Sequence, residues 1–435
     1  MGSGIFFTPG ELASVAQHNW QVYLFWGLCG IITLCGALTL AELSSLMPRS
    51  GATFHIIRES FGPFWGFLKA WTEILVVAPG SVAGVAIIFG AFFSELVGSH
   101  WQWSPAIWGV SAILVFTAIN LMGVRWGGVT QVIITSVKIA ALLFLVLSSL
   151  LLVDQTPTTE SVSQVAGADG LWGFIRLVGL GIGAVLFTYD GWADVSHVAG
   201  EVKSPKRILP LGLVVGVGSI AFLYLLVNYA FLRVVPLEAM REEPTLIAST
   251  VARVTFGETG AKLITGLIII SIFGALGGLL MTVPRFYFAT GVRYVQRIRK
   301  GHPVNLVLQT LSRVSPKTGV PVGAILFVSA LSCIVLLFFR TFSRLVNFFV
   351  VSNYFFPILV IGAVFKFRSR YRNEGYRTPG YPVVPLVFMV VIASFLISAL
   401  YYRPGDTLIG VGLTALGIPF YLWLNKGKGS GVRYE

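Results

Sequence analysis

Charge is what this sequence has least of. Of its 435 residues 11% are charged, against about 25% in soluble domains. That shortfall excludes an ordinary water-soluble globule, because too few polar groups exist to cover one. Acidic residues are scarcer still, 18 against 31 basic, for a formal net charge of +13. Cysteine is nearly absent. Cys29, Cys35 and Cys333 lie inside apolar runs without metal-ligand spacing, so they read as small core residues and leave the redox compartment open. Met1 is followed at once by Gly2-Ser3-Gly4, which is not the basic stretch and apolar run of a cleavable signal peptide. Strands of about ten residues alternating with period two are missing, which counts against an outer-membrane barrel. There is no HExxH pattern, no phosphate-binding loop and no sizeable catalytic loop, so an enzyme has no support and no cofactor is expected.

What is present is apolar surface. Hydrophobic residues make up 55% of the chain and the mean hydropathy is +0.82. After a short piece at about 5–17, full spans are expected at roughly 20–46, 64–98, 104–122, 127–153, 171–200, 208–232, 262–292, 320–339, 343–365, 381–402 and 407–425. The fold class is therefore all-α and polytopic, a single transmembrane domain over 1–435 in a lipid bilayer.

The basic residues give the orientation. Arg49, Arg58, Arg125, Lys203, Lys206, Arg207, Arg293, Arg297, Arg299, Lys300, Arg313 and Lys317 fall in one set of alternate loops. Lys366, Arg368, Arg370, Arg372 and Arg377 join them, with Lys426, Lys428 and Arg433 in the tail. The other side has Arg233, Arg241, Arg253, Lys262, Arg340, Arg344 and Arg403. A bias of roughly three to one puts the C-terminus and the 293–317 loop in the cytoplasm. The positive charge is thus a topology signal, and no nucleic-acid partner is expected.

The first apolar piece is too short. About thirteen residues at 1.5 Å each reach ~20 Å, against a hydrocarbon core of roughly 30 Å. It can cross half the membrane, and by the orientation above the cytoplasmic half is missing. Two glycines and a serine in Met1-Gly2-Ser3-Gly4-Ile5-Phe6 stand where this half-helix begins. A similar interruption, Phe187-Thr188-Tyr189-Asp190-Gly191-Trp192, cuts the 171–200 segment.

Unwound backbone frees N–H and C=O groups that lipid cannot satisfy, so such a stretch must line a cavity. Paired interruptions of this kind point to a transporter's binding site. The start of the half-helix after Gly4 offers N–H groups and a positive dipole end to a carboxylate. Freed carbonyls around Phe187, Thr188 and Tyr189 suit an ammonium group. Together they would recognise the two charged ends of an amino acid. The alternative is that these glycines serve only close helix packing.

These motifs resemble a known family. Gly2 through Phe6, Ala41-Glu42-Leu43 with Pro48-Arg49-Ser50-Gly51, and Phe187 through Trp192 with Glu201-Val202-Lys203-Ser204-Pro205 are similar to the amino acid–polyamine–organocation superfamily. Pro79-Gly80-Ser81-Val82-Ala83 with Phe89, and Ser271-Ile272-Phe273-Gly274-Ala275, resemble the bacterial relatives of L-type amino acid transporters.

The resemblance implies a LeuT-like fold of two inverted five-helix repeats, at 1–153 and 171–366, with two extra C-terminal helices at 381–425. The first helix would be truncated, and a misassigned start or truncation is expected rather than a working half-helix. Gly2, Ser3 and Gly4 would bind the substrate carboxylate. The backbones of Phe187, Thr188 and Tyr189, in the break that Gly191 shares, would bind the amine, and the Phe187 ring would close over the substrate as a gate. Gly277-Gly278 stand where relatives often carry an asparagine, which leaves side-chain selectivity open. Ser99-His100-Trp101-Gln102-Trp103 lacks the cysteine by which animal relatives attach a partner subunit, so no disulfide-linked partner is expected.

Some charges fall inside spans. Lys138 lies ~16 Å into the fifth, too deep to snorkel comfortably, so its ammonium should face protein or a cavity. The resemblance implies that it stands where sodium-coupled relatives hold an ion, bridging the broken first helix to the bundle. Its alternative is a structural lysine. Glu73 and Glu42 are each either a protonation site or a paired structural carboxylate, and Arg285 is a candidate partner for Glu42. Asp190 would either cap the half-helix beginning near Gly191 or meet a cationic substrate.

The function expected is secondary active transport of small neutral L-amino acids by alternating access, as a sodium-independent exchanger or a proton-linked permease. The membrane would be a bacterial cytoplasmic one. A cationic amino acid or polyamine carrier is the alternative within transport, and a non-transporting sensor or inactive relative the alternative outside it.

Overall fold

The computed structural model describes residues 4–47, 52–99, 101–123, 127–153, 181–193, 205–242, 244–295, 309–371, 376–402 and 404–425. Every regular element among them is helical. A 3-10 turn, Gly4–Phe6, leads into α1 (Thr8–Ala13) and then α2 (Asn19–Leu46). Next come α3 (Ala52–Phe61), α4 (Pro63–Thr72), a π-helical turn (Glu73–Val77) and α5 (Ala78–Leu96). After α6 (Ser104–Leu121) and α7 (Gly127–Leu152), α8 occupies residues 181–189. α9 (Pro205–Val234), α10 (Leu237–Glu242) and α11 (Ile247–Val295) follow. The chain then forms α12 (Val322–Phe339), α13 (Phe342–Arg370), α14 (Val383–Tyr402), α15 (Pro404–Ala415) and α16 (Gly417–Asn425).

Ten helical stretches among the described residues are long and apolar enough to cross a membrane, and they match the expected spans. The remaining one, 171–200, is described only over 181–193. Large apolar side chains such as Phe222, Leu263, Ile270 and Ile397 stand on the outside, as lipid requires and water would penalise.

Among the described residues, the spans through α11 and α5 are built differently from a plain apolar rod. α11 begins well before the expected 262, because Gly257 (φ 69°) turns the backbone between a first piece bearing Thr250, Arg253 and Thr255 and the apolar span proper. Only glycine adopts that φ without strain. The span at 64–98 contains the π-turn at Glu73–Val77. A π-turn displaces one residue from the i→i−4 ladder, and here the Tyr287 hydroxyl of α11 donates to the Ile74 carbonyl at 2.5 Å. The buried backbone group thereby keeps a partner.

Close helix approach relies on small residues, as in membranes generally. α5 and α6 cross where a Cβ on Gly90 would overlap the Pro105 carbonyl and one on Gly109 would stand 2.7 Å from the Ala86 oxygen. Ser94 and Ser104 bridge the same crossing, Oγ to Oγ, at 2.8 Å. α2 packs chiefly on α9, while α5 also meets α11, α12 and α13. That arrangement brings α2, α5, α9 and α13 around the ends of α1 and α8.

Candidate functional site

The start of α1 and the end of α8 touch. Gly4 is buried against Thr188, and a Cβ on Gly4 would lie 2.8 Å from Thr188 Cβ. The Thr8 and Thr188 hydroxyls are 2.6 Å apart. Since Thr188 Oγ1 donates to the Ala184 carbonyl at 3.2 Å, Thr8 is the donor between the two. No side chain caps α1 at Phe7, and Pro9 supplies no N–H to its first turn. Gly2 and Ser3, the other expected carboxylate-binding residues, lie outside the described residues.

α8 ends where the sequence is interrupted. Gly191 has φ 95°, in the left-handed region that favours glycine. The last carbonyls of a helix need partners, and tyrosines from two other helices and a backbone N–H three residues on supply them. Tyr354 of α13 donates its hydroxyl to the Leu186 carbonyl at 2.8 Å, and Tyr224 of α9 donates to that of Thr188 at 3.3 Å. The Asp190 N–H donates to the Phe187 carbonyl at 3.2 Å. Each of these oxygens has a second lone pair, so occupancy by protein leaves room for one more donor. Tyr189 points the other way, donating its hydroxyl to the Trp26 carbonyl of α2 at 3.1 Å. Its ring joins Trp26 and Tyr224 in an aromatic cluster with centroids 5.1 to 5.8 Å apart.

An aromatic layer lies beside the break. The half-buried Phe187 ring stands edge-on to Phe342 at 5.1 Å and to Phe349 at 5.8 Å. Phe342 in turn meets Phe7 of the α1 entry at 4.5 Å. Phe187, near the end of α8, therefore shares one aromatic layer with the entry to α1 and with α13.

The charged residues separate into distinct places. Asp190 accepts from Asn353 Nδ2 of α13 at 3.1 Å; of the half-helix that it was expected to cap from near Gly191, only residues up to 193 are described. Lys138 is 3% exposed. Its face of α7 continues through Leu142, Leu145, Val146 and Ser149, all buried, whereas Val137, Ile139 and Leu147 face outward. Its side chain is thus turned into the interior, where either protein or a cavity was expected to meet it. Glu73 forms an i,i+4 ion pair with Lys69 at 2.7 Å.

Glu42 does not pair with Arg285, which is exposed on α11. Its partner is Arg368 of α13, held in a two-pronged contact at 2.7 and 2.8 Å, with the Thr378 N–H donating to the same carboxylate at 2.7 Å. The Arg368 guanidinium also lies 3.8 Å over the Tyr381 ring. Both arginines are near the ends of spans, and only the packing of α13 on α2 decides between them.

Sequence reading missed Thr8, Tyr224, Asn353 and Tyr354, whose only signal is a polar group inside an apolar span. It also placed Arg241 only as a loop charge. Arg241 of α10 donates from Nε to the Ala13 carbonyl at 3.0 Å and from Nη2 to that of Ala16 at 2.7 Å. It thereby closes the C-terminal end of α1, where the helix dipole favours a cation.

The amino acid permease family matches residues 1–422. The chain is 31% identical over 443 residues to the serine/threonine exchanger SteT of Bacillus subtilis (strain 168), covering 99% of this chain and 94% of that protein. It is 27% identical over 416 residues to the human b(0,+)-type amino acid transporter 1, with coverage of 92% and 79%. It is also 27% identical over 446 residues to the mouse large neutral amino acids transporter small subunit 2, with coverage of 98% and 79%.

Proposed function

The chain belongs to the amino acid permease family, and from that premise we propose that it exchanges small neutral L-amino acids across a bacterial cytoplasmic membrane without sodium. A proton-linked permease is the variant of this reading that the same site would serve. The observation that carries it is the meeting of the start of α1 with the end of α8 at Gly4 and Thr188, with Phe187 beside them.

In this reading Gly2, Ser3 and Gly4 receive the carboxylate. The second lone pairs of the Phe187 and Thr188 carbonyls, with the Tyr189 backbone beside them and Gly191 shaping the turn, receive the ammonium. Phe187 closes over the bound molecule, and Lys138 supplies the positive charge that a sodium ion supplies elsewhere. Residues 1–153 and 171–366 act as inverted repeats around this site, 381–425 adds two peripheral helices, and the C-terminus is cytoplasmic. The serine/threonine exchanger among the relatives supports a short side chain. A cationic substrate would need pocket carboxylates, but Glu73 is paired with Lys69 and Asp190 is bound by Asn353, which favours neutral substrates. No covalently attached subunit enters this reading.

The test is uptake of a set of labelled amino acids into proteoliposomes, with and without internal amino acid, sodium and a pH gradient. Uptake that requires internal amino acid and ignores sodium is expected. Uptake driven by the pH gradient with empty liposomes would select the proton-linked variant. Absence of any uptake would favour a non-transporting protein.

A further inference from the structure

Helix α5 carries three buried glycines, Gly80, Gly84 and Gly90. Two of them have a packing reason. A Cβ on Gly80 would stand 2.7 Å from Phe349 Cδ1, and one on Gly90 would overlap the Pro105 carbonyl. Gly84 has none. A Cβ there would lie 3.8 Å from Phe187 Cζ and 4.0 Å from Phe342 Cε2, which is ordinary van der Waals separation. Its backbone is helical, so φ does not demand glycine either. In a helix interior glycine gives up conformational entropy and contacts that alanine keeps. The fold by itself therefore favours a larger residue at position 84, and the glycine needs another explanation.

Its position supplies one. Gly84 faces the Phe187 ring beside the helix break, and the neighbouring wall is the Phe342 ring, itself backed by Phe7. Phe349, set tightly over Gly80 and edge-on to Phe187, forms the adjoining side. The surfaces around this spot are aromatic carbon, suited to a short uncharged side chain and unsuited to a charge.

We propose that Gly84 sets the largest substrate side chain accepted, because that side chain takes the room beside Phe187 that a residue at 84 would fill. The inference rests on the reading of the Gly4–Thr188 junction as the amino acid site, and it adds the residue that measures side-chain size. Loss of one methyl's width in such a pocket discriminates roughly tenfold or more between substrates differing by a methylene.

The experiment compares KM and maximal rate for glycine, alanine, serine, threonine, valine and leucine in proteoliposomes. The proteins are the wild type, Gly84→Ala, Phe342→Leu and the double variant, each checked for a monodisperse profile in detergent. In Gly84→Ala the KM for threonine relative to glycine should rise at least tenfold, and the ratio should climb with side-chain volume. Phe342→Leu, which widens the opposite wall, should move the leucine-to-glycine ratio the other way, and the double variant should recover threonine. This second arm carries the test even if alanine at 84 does not fold.

Ratios unchanged in both single variants would overturn the inference while leaving the transport site standing. An equal fall in maximal rate for every substrate would also overturn it, assigning Gly84 to the movement of Phe187 instead. A wild-type protein that transports none of the six would overturn the site reading itself, and this inference with it.

Discussion

Thr8 and Thr188 are 180 residues apart in the chain, and their hydroxyl oxygens are 2.6 Å apart. The bond ties the first turn of α1 to the last turn of α8, the two helix ends that meet at the candidate site. Hydrogen bonds between membrane helices contribute only ~0.6 kcal/mol on average. Thr8→Val and Thr188→Val should therefore each lower the stability of the detergent-purified protein by about 1 kcal/mol or less. The double variant should be no worse than the poorer single one, because the second substitution removes a bond already lost. Strictly additive losses in thermal unfolding would show that the two hydroxyls do not depend on each other.

The ion pair of Glu42 with Arg368 should matter far more to stability. Glu42 is 2% exposed, and removing one partner of a buried pair leaves an uncompensated charge, a loss of ~3–5 kcal/mol. Arg368 keeps some solvent access, which places the expected loss for Glu42→Gln near the lower end. Exchanging the two charges should not restore stability. The Thr378 N–H donates to Glu42, and an arginine at position 42 would leave that donor facing a cation. Recovery of the melting temperature in the exchanged variant would show that the pair acts by charge alone.

Much of this architecture was legible because lipid allows so few solutions. A span must be long, apolar and helical, so the run from Asn19 to Leu46 or from Val322 to Phe339 could be read directly. The break at Phe187–Gly191 was readable for the same reason, since glycine and aspartate in mid-span need a cause. The partners of the break were not. Tyr224 reaches Thr188 across 36 residues and Tyr354 reaches Leu186 across 168, and a tyrosine inside a span carries no mark of which helix it will meet. Arg368 was likewise indistinguishable from Arg285 as the partner of Glu42 until the neighbours of α2 were known. Gly84 looked like one glycine among 48; only the distance to Phe187 separates it from Gly80 and Gly90.

Arg241 should hold the C-terminal end of α1. Its guanidinium makes two directed contacts, to the Ala13 and Ala16 carbonyls, and hydrogen bonds from charged groups contribute ~1.5–3 kcal/mol each. Arg241→Ala should raise amide hydrogen exchange in residues 8–16 by roughly tenfold or more relative to α2. Arg241→Lys should recover only part of the protection, since an ammonium cannot reproduce the planar fork. Exchange in this segment unaltered by the alanine variant would mean that packing against α10 and the Pro244 turn suffices without the arginine.

Lys138 provides the sharpest test of ion coupling. It sits on the protein-facing stripe of α7 with Leu142 and Ser149, at a depth where a cation is retained only for a reason. If its ammonium supplies the charge of an ion site, the wild-type protein should transport equally in sodium and choline media. Lys138→Met removes the charge but keeps much of the aliphatic stem, so packing loss is small and the rate should fall at least tenfold. Lys138→Ala removes stem and charge together and leaves space that sodium could enter, so any residual uptake should now respond to sodium. A merely structural lysine predicts a different pattern: both variants would lose thermal stability in proportion to the atoms removed, and neither would change its response to the ion. Sodium-dependent uptake by the wild-type protein that survives in Lys138→Ala would remove the lysine from the coupling mechanism altogether.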